Sequence, residues 1–218
     1  MRMIVMLSLW LVAGAAAAEE PVIPEKAPCV VCSFQGEGHG PEKVAAHSAF
    51  EGTLYFFCAT GCKERFDEDP RGYLPFSKFP APDFAVTACA GEPVRLGDYE
   101  GQWLFLDFWA TWCQPCVKLM PAMEELGEAF APRGLTILGV SIDEDAKKAR
   151  KFLEKHEIGY PTAMDNADEP AWAAFRVKVV PTAYLIDPTG TVVQRWVGAW
   201  EHDAVAKELD ALLPKDPE

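Results

Sequence analysis

Residues 103–116 read WLFLDFWATWCQPC, and this stretch decides the fold of the longer part of the chain. From Trp103 to Trp109 the residues are almost all apolar, which is typical of a strand buried on both faces of a sheet. Cys113 and Cys116 follow, and apolar side chains then recur at helical spacing as far as Phe130. The stretch therefore predicts an α/β fold in which a buried strand turns into a helix at two cysteines.

Strand and helix patterns alternate beyond this stretch. The sequence predicts further strands at 135–140, 182–186 and 192–197, and further helices at 146–156, 171–177 and 202–213. The last two strands form a predicted hairpin about Asp187 and Gly190, and we interpret the acidic run 143–145 as a charge complement for a helix start. The order βαβα followed by ββα predicts a central mixed sheet with helices on both faces.

The two cysteines have the spacing and position of a redox pair. At a helix start, unpaired backbone N–H groups and the helix dipole stabilise a thiolate. We therefore interpret Cys113 as the attacking nucleophile and Cys116 as the resolving thiol. A static disulfide or half of a zinc site are the alternatives, and zinc would need a further ligand pair where this segment offers only Cys89, His156 and His202.

Asp107 lies inside the apolar strand, six residues before Cys113. A carboxyl group at this position is expected to be desolvated, and desolvation raises its pKa. Such a group can take a proton from Cys116 when a mixed disulfide resolves. The alternative is an aspartate at a strand end in contact with water.

The sequence from 80 to 218 resembles the thioredoxin superfamily, and more specifically its exported TlpA/ResA branch. The matching blocks are DFWATWCQPC (107–116), VPT (180–182), PDF (82–84), LGDYEG (96–101), GVSID (139–143) and IDPTG (186–190). The resemblance implies a thioredoxin fold over 83–214 that exchanges thiols and disulfides with protein substrates. It also implies no organic cofactor, and a reductant supplied by a membrane electron donor of the DsbD/CcdA type.

The resemblance implies roles for further residues. It implies that Pro181 is cis and faces the active-site sulfurs, and that the backbone at Val180 pairs with the substrate as an added strand. It also implies that Trp112, Gln114 and Pro115 contact the substrate. Pro181 thus joins the two cysteines and the strand aspartate as a candidate catalytic residue.

Two departures from the family pattern affect this interpretation. Leu119 stands where TlpA/ResA proteins usually carry Glu, and Asp107 stands where they commonly carry Asn. We infer that the acid has moved to the thioredoxin-like position, which weakens the argument for specialised apocytochrome recognition. A peroxidase is disfavoured, because Leu106 and Ala110 occupy positions where the peroxiredoxin pattern has Pro and Thr.

A second group of cysteines lies nearer the N-terminus. Cys29 and Cys32 form a predicted knuckle, and Cys58 and Cys62 open a predicted helix after an aromatic strand. Four thiolates that converge on one point suit Zn²⁺ or Cu⁺. A segment this small has little hydrophobic core and needs such a cross-link to be stable. Two structural disulfides are the alternative, which an oxidising compartment favours.

The segment 25–74 resembles the YHS/TRASH family of small metal-binding domains. The matching blocks are EGTLYFFC (51–58), GCKERF (61–66) and DPRGYL (69–74). The family typically uses three cysteines, which Cys32, Cys58 and Cys62 match, and Cys29 is additional. The resemblance implies a small treble-clef-like domain that precedes the thioredoxin fold.

Three other residues could belong to a site. His39 and His47 are candidate further metal ligands, although lone histidines in a polar stretch more often face solvent. Cys89 has no evident partner, and we interpret it as a small buried residue of the first hairpin of the longer domain, with redox involvement as the alternative.

The prolines of the sequence predict a linker between these two parts. Pro70, Pro75, Pro80 and Pro82 have no backbone N–H to give to a helix or sheet, and we place the linker at 75–82.

The N-terminus predicts the compartment. Arg2, a short apolar run and an alanine-rich end at Ala18 are typical of a secretory signal peptide over 1–18. We therefore expect an exported protein of a bacterial periplasm, and an uncleaved membrane anchor is the alternative.

Composition excludes one class of partner. The chain has 20 Lys and Arg against 33 Asp and Glu, a formal net charge of −13. Nucleic-acid binding draws most of its affinity from basic side chains that neutralise phosphates, so nucleic acid is excluded as a primary ligand.

The sequence thus predicts an exported thiol:disulfide oxidoreductase with a metal-binding module. It would act as a reductant, and a copper protein, its chaperone or a cytochrome would supply the cysteines that it keeps reduced. The competing hypothesis is a periplasmic copper- or zinc-binding or sensing protein whose thioredoxin-like domain is mainly a docking module.

Overall fold

The computed structural model describes residues 22–34 and 40–215. The predicted signal peptide and His39 lie outside these residues. Within them, no helix combines the length and the apolar character that crossing a membrane requires.

The N-terminal module is a small aromatic core with two short hairpin-like pairings. Its strands are β1 (Lys26–Ala27), β2 (Glu42–Lys43), β3 (Ala46–Phe50) and β4 (Thr53–Phe57), and its helices are α1 (Val30–Phe34), α2 (Thr60–Glu68) and α3 (Pro70–Tyr73). β1 pairs with β2 and β3 with β4, both antiparallel. Phe66 is fully buried at the centre and packs against four aromatic rings, those of Phe50, Tyr55, Phe57 and Tyr73.

The longer domain is one eight-stranded mixed sheet with helices on both faces. Its strands are β5 (Phe79–Pro80), β6 (Ala85–Ala88), β7 (Pro93–Arg95), β8 (Trp103–Trp109), β9 (Leu135–Ser141), β10 (Thr162–Met164), β11 (Thr182–Ile186) and β12 (Thr191–Val197). Its helices are α4 (Gln114–Phe130), α5 (Ala146–Lys155), α6 (Ala171–Ala174) and α7 (His202–Leu212). Short 3₁₀ turns lie at Leu96–Tyr99 and Ala131–Arg133.

The strand order is β5-β12-β11-β8-β9-β10-β6-β7. β8, β9 and β10 are parallel to one another, and the outer strands pair antiparallel. This is the mixed sheet of a thioredoxin fold, so the predicted fold class is confirmed. β8 lies near the middle of the sheet, which explains why its sequence is apolar on both faces.

Side chains of β8 alternate between two cores. Phe105 packs with Met123 of α4 and Val205 of α7 on one face. Leu106 and Phe175 belong to the core on the opposite face, beside α6. The acid and the two cysteines of the quoted stretch therefore lie on the α4 side of the sheet.

The structure differs from the sequence expectations in two places. The predicted helix 171–177 ends at Ala174, and Arg176 then adopts a left-handed φ of 57°. The prolines of the predicted linker do not exclude regular structure. Pro70 begins α3, where its missing N–H costs nothing, and Pro80 lies in β5, which pairs with the start of β12.

The N-terminal module contacts the longer domain beside the segment that leads to Pro181. Lys178 Nζ lies 3.0 Å from Oδ2 of Asp69, which lies between α2 and α3. Arg195 of β12 donates a hydrogen bond of 3.0 Å to the carbonyl oxygen of Leu74. These contacts connect the small module to β12 and to the segment that precedes Pro181.

Candidate active site and metal centre

The two cysteines of the quoted stretch form a disulfide at the start of α4. Their sulfurs are 2.01 Å apart, and Cys113 is the N-cap of the helix. The Cys113 Sγ accepts a hydrogen bond of 3.2 Å from the backbone N–H of Cys116. Pro115 stands in the first turn, where its missing N–H leaves no donor unpaired.

Exposure does not distinguish the two sulfur residues in this oxidised form. Cys113 is 5% exposed and Cys116 is 3% exposed. What distinguishes them is their place in the helix. The thiolate-stabilising N–H groups of the first turn point towards Cys113, and Cys116 lies one turn further in.

The expected substrate-contacting residues lie around the disulfide. Trp112 is 60% exposed directly before Cys113, and Gln114 and Pro115 are exposed between the two cysteines. The Val180–Pro181 bond is cis, as the resemblance implied, and Val180 packs against the apolar cluster that contains both cysteines. Val180 therefore lies beside the cysteines, where Trp112, Gln114 and Pro115 are also found.

Asp107 is buried below this surface. It is 6% exposed, and its Oδ1 has no hydrogen-bond partner among the described residues. Burial raises the pKa of the carboxyl group to about 7. The expectation of a desolvated acid agrees with this position, and the alternative of an aspartate in contact with water does not.

Asp143 supports the active-site loop. The sequence did not reveal this role. Its carboxylate accepts hydrogen bonds from the backbone N–H and the hydroxyl of Thr111, at 2.8 and 2.7 Å, and from the Ser141 hydroxyl at 2.9 Å. Of the acidic run, Asp145 caps α5 as expected, whereas Asp143 holds the turn that presents the cysteines. The GVSID block contains this residue, but a block match does not indicate a contact 32 residues away.

The four N-terminal cysteines converge on one point. Their sulfur atoms all lie within 4.8 Å of one another, and none is in a disulfide. Cys32 Sγ is 3.6 Å from Cys58 Sγ and 3.9 Å from Cys62 Sγ, and the last two are 3.9 Å apart. Tetrahedral zinc with Zn–S bonds of about 2.3 Å needs sulfurs roughly 3.8 Å apart, so the donor set fits a thiolate-bound metal.

The surroundings of these sulfurs agree with such a site. Cys29 and Cys62 are buried, and Arg65 of α2 donates to Cys62 Sγ across 3.5 Å. An outer donor of this kind orients a thiolate ligand and offsets its charge. Four thiols can therefore hold one metal here, and two separate disulfides would require the cluster to rearrange.

Of the other candidate residues, His47 does not join the sulfur cluster, and Cys89 packs against the apolar cluster that contains Cys113 and Cys116. In the described part of the chain, the group of potential ligands contains the four cysteines and not His47, which lies on β3. Cys89 follows β6 in a turn, is half-buried and has no disulfide partner. Its backbone N–H donates to the carbonyl of Thr162 at 2.9 Å, and burial raises the pKa of its thiol.

Comparison with known proteins identifies one matching family and several similar proteins, all aligned with the longer domain. Residues 78–195 match the family described as the AhpC/TSA family. The thiol-disulfide oxidoreductase ResA of Geobacillus kaustophilus is 37% identical over 134 residues, which cover 62% of this chain and 76% of that protein. ResA of Bacillus subtilis is 30% identical over 134 residues, covering 62% and 74% respectively.

The solved structures agree with these relatives. A crystal structure of a thiol:disulfide interchange protein DsbE from Chlorobium tepidum aligns with a TM-score of 0.57 at 32% identity, covering 64% of this chain and 97% of that one. The family match begins at residue 78, after the four clustered cysteines.

Proposed function

Because the chain belongs to the AhpC/TSA family and is a thiol-disulfide oxidoreductase of thioredoxin fold, we propose that it is an exported reductant of protein disulfides. The observation that carries the proposal is the Cys113–Cys116 disulfide at the start of α4, above a buried acid. Export rests on the sequence of residues 1–18, which is typical of a signal peptide.

The first step is an attack by Cys113. In the reduced protein its thiolate, which the helix start stabilises, attacks one sulfur of the substrate disulfide. The substrate S–S bond breaks, and its other sulfur leaves as a thiolate that takes a proton from solvent. A mixed disulfide now joins Cys113 to the substrate.

The second step is resolution by Cys116. Asp107 accepts the proton of the Cys116 thiol, and the resulting thiolate attacks the Cys113 sulfur. The mixed disulfide breaks, the second substrate sulfur leaves, and the Cys113–Cys116 disulfide forms, so two electrons have passed to the substrate. Because the Asp107 pKa is about 7, the carboxyl group can both take and return a proton near neutral pH.

The substrate is a protein disulfide that lies across Trp112 and the Val180–Pro181 segment. The exposed indole offers apolar area, and the backbone at Val180 offers main-chain hydrogen bonds to an extended peptide. A dithiol of a membrane electron donor of the DsbD/CcdA type would then reduce the Cys113–Cys116 disulfide and itself become oxidised.

The four N-terminal cysteines would hold Zn²⁺ or Cu⁺. When bound, the metal supplies a cross-link among the knuckle, the hairpin and α2, in a YHS/TRASH-like module whose core is small. A copper protein or its chaperone is therefore the substrate class that best joins the two modules. The second candidate function, metal binding or sensing with a docking domain, is supported by the same sulfur cluster.

Two measurements on the full chain test these proposals. The first is the reduction potential of the Cys113–Cys116 couple against glutathione. A reductant should lie at or below the glutathione couple of roughly −240 mV, whereas a value near −120 mV would make the protein an oxidant. The second is turnover of a protein disulfide such as insulin. A metal-loaded protein without turnover would favour the metal-sensing function.

Export has its own test. The secreted protein isolated from a bacterial periplasm should begin at Glu19, as read by intact mass. Retention of residues 1–18 in a membrane fraction would indicate an uncleaved anchor instead.

A further inference from the structure

Among the described residues, three buried polar atoms at the active-site acid have no hydrogen-bond partner. They are Asp107 Oδ1, Trp109 Nε1 and Tyr160 Oη. Each would lose free energy in an apolar core if it stayed unpaired, because burial removes its hydrogen bonds to water. Their common position therefore needs an explanation.

Gly139 is a neighbour of all three of these residues. It is the register partner of Asp107 on the neighbouring parallel strand, so the two residues face the same side of the sheet. A Cβ atom at Gly139 would lie 3.1 Å from Trp109 Nε1 and 3.0 Å from Cε2 of Tyr160. Thr162, the register partner of Gly139 on its other side, would lie 3.3 Å away through its Oγ1. Because Gly139 has no side chain, the Tyr160 ring and the Trp109 indole pack against it on the side of the sheet that Asp107 faces.

Tyr160 also interacts electrostatically with Asp107 and Glu124. Burial raises the pKa of Tyr160 well above its usual range, and the negative charges of Asp107 and Glu124 raise it further. Glu124 of α4 accepts hydrogen bonds from the backbone N–H groups of Gly159 and Tyr160, at 2.5 and 3.3 Å. Tyr160 is thus held in place by its backbone while its hydroxyl stays neutral and able to donate.

We propose that the Tyr160 hydroxyl is a positioning group for Asp107, acting through one water that it shares with Trp109 Nε1 and Asp107 Oδ1. This inference rests on the proposed proton-accepting role of Asp107. A buried water typically makes about three hydrogen bonds, and here it would accept from the indole N–H and the phenol O–H and donate to the carboxylate.

The arrangement distinguishes the two states of the acid. The indole N–H and the phenol O–H occupy both lone pairs of the water. A hydrogen of the water therefore points at Asp107, and the ionised carboxylate accepts it. A protonated Asp107 would accept from the same water only through its neutral carbonyl oxygen, which is a weaker acceptor than a carboxylate oxygen. Tyr160 therefore favours the ionised acid, the form that can take the proton of Cys116.

The test is Tyr160→Phe in the oxidised full chain, where neither active-site thiol titrates. The carboxyl pKa of Asp107 is followed by NMR of labelled aspartate. Removal of the donor should raise that pKa by about one unit, a tenfold change in the acid dissociation constant. The acidic limb of the pH profile for mixed-disulfide resolution should move upward by the same amount.

The matched control is Tyr184→Phe. Tyr184 is also buried, but its hydroxyl donates to the carbonyl of Phe175 at 2.7 Å in the core on the other face of the sheet. Its loss should lower the free energy of unfolding and leave the Asp107 pKa unchanged. A shift of equal size in both variants would overturn the inference, because it would reflect a general loss of packing.

The remaining outcomes separate this inference from the proposed function. An Asp107 pKa that does not change in Tyr160→Phe overturns the role of Tyr160, even if Asp107→Asn abolishes the acidic limb. If Asp107→Asn keeps that limb, the proton-accepting role of Asp107 is wrong, and with it the catalytic part of this inference. The NMR titration still reports the Asp107–Tyr160 connection independently of activity.

Discussion

The backbone N–H of Cys116 donates a hydrogen bond to the sulfur of Cys113, across 3.2 Å. Cys116 therefore supplies both the second sulfur of the disulfide and a hydrogen-bond donor to the sulfur of Cys113. In the reduced protein such a donor favours a thiolate at Cys113 over one at Cys116, because it stabilises negative charge.

Cys116→Ser should consequently trap protein substrates as stable mixed disulfides through Cys113. The attack still occurs, but no thiol is left to resolve the adduct. Peptide mapping of the trapped complex checks this. The control is Cys113→Ser, which should trap little, and adducts mapped to Cys116 in that variant would show that the roles are reversed.

Asp107→Asn should stabilise the oxidised protein at high pH. Below the unfolded-state pKa of about 3.9, both states are protonated and the variants should be alike. As pH rises, the unfolded state loses its proton first, so the native state is progressively penalised until pH passes the folded pKa of about 7. The gain from the substitution above that pH should approach roughly 4 kcal/mol, at about 1.4 kcal/mol per pKa unit. Denaturant unfolding at about pH 4 and about pH 8 measures it, and a pH-independent difference would contradict it.

Removal of the metal should expose thiols and loosen the small module. A metal-loaded full chain treated with a strong chelator should gain about four thiols that react with Ellman's reagent, and its near-ultraviolet circular dichroism should change. The variant Cys58→Ser should bind metal far more weakly, while Cys89→Ser, whose sulfur lies outside the cluster, should keep the stoichiometry. A purified chain with no metal and no free N-terminal thiols would establish two disulfides instead.

Trp112→Ala should impair protein substrates selectively. The indole is 60% exposed beside the disulfide and offers apolar area to a docked protein, whose loss typically costs a KM increase of roughly tenfold. A small disulfide such as oxidised dithiothreitol needs no such surface and serves as the control. Equal losses for both substrates would show that Trp112 acts on the sulfurs and not on docking.

Arg195→Met should weaken the contact between the two modules. Its guanidinium donates to the carbonyl oxygens of Gly72 and Leu74, and methionine keeps much of the side-chain length without these donors. Limited proteolysis between Leu74 and Phe79 should become several-fold faster. The matched control is Arg133→Met, an arginine that donates to the C-terminal carbonyls of Leu213 and Pro214 and should leave that cleavage unchanged.

The sequence predicts the centre of the sheet better than its margins. β8 has the predicted bounds because a strand buried on both faces has an unmistakable apolar run. β10 has three residues and β5 has two, one of them a proline, so neither carries a periodic signal. Such short strands form because neighbouring strands offer them hydrogen bonds, which local sequence does not encode.

The same limit applies to the site. The cysteine pair, the buried acid and the cluster of four sulfurs could be predicted, since each combines a residue type with a local spacing. Asp143 and Tyr160 could not, because their roles depend on partners that are distant in sequence, namely Thr111 and Gly139. A glycine that admits a tyrosine ring is recognisable only once three strands are in register.

The short pairing of Phe79–Pro80 with β12 should also limit self-association. A bare outermost strand presents a ladder of unpaired amide and carbonyl groups that a second copy of the chain could extend. β5 covers the first residues of β12, and Pro80 lacks the amide with which another strand would pair. A truncated domain that begins after Pro80 would lose this cover, so we expect it to dimerise or aggregate more readily than one that begins before Phe76.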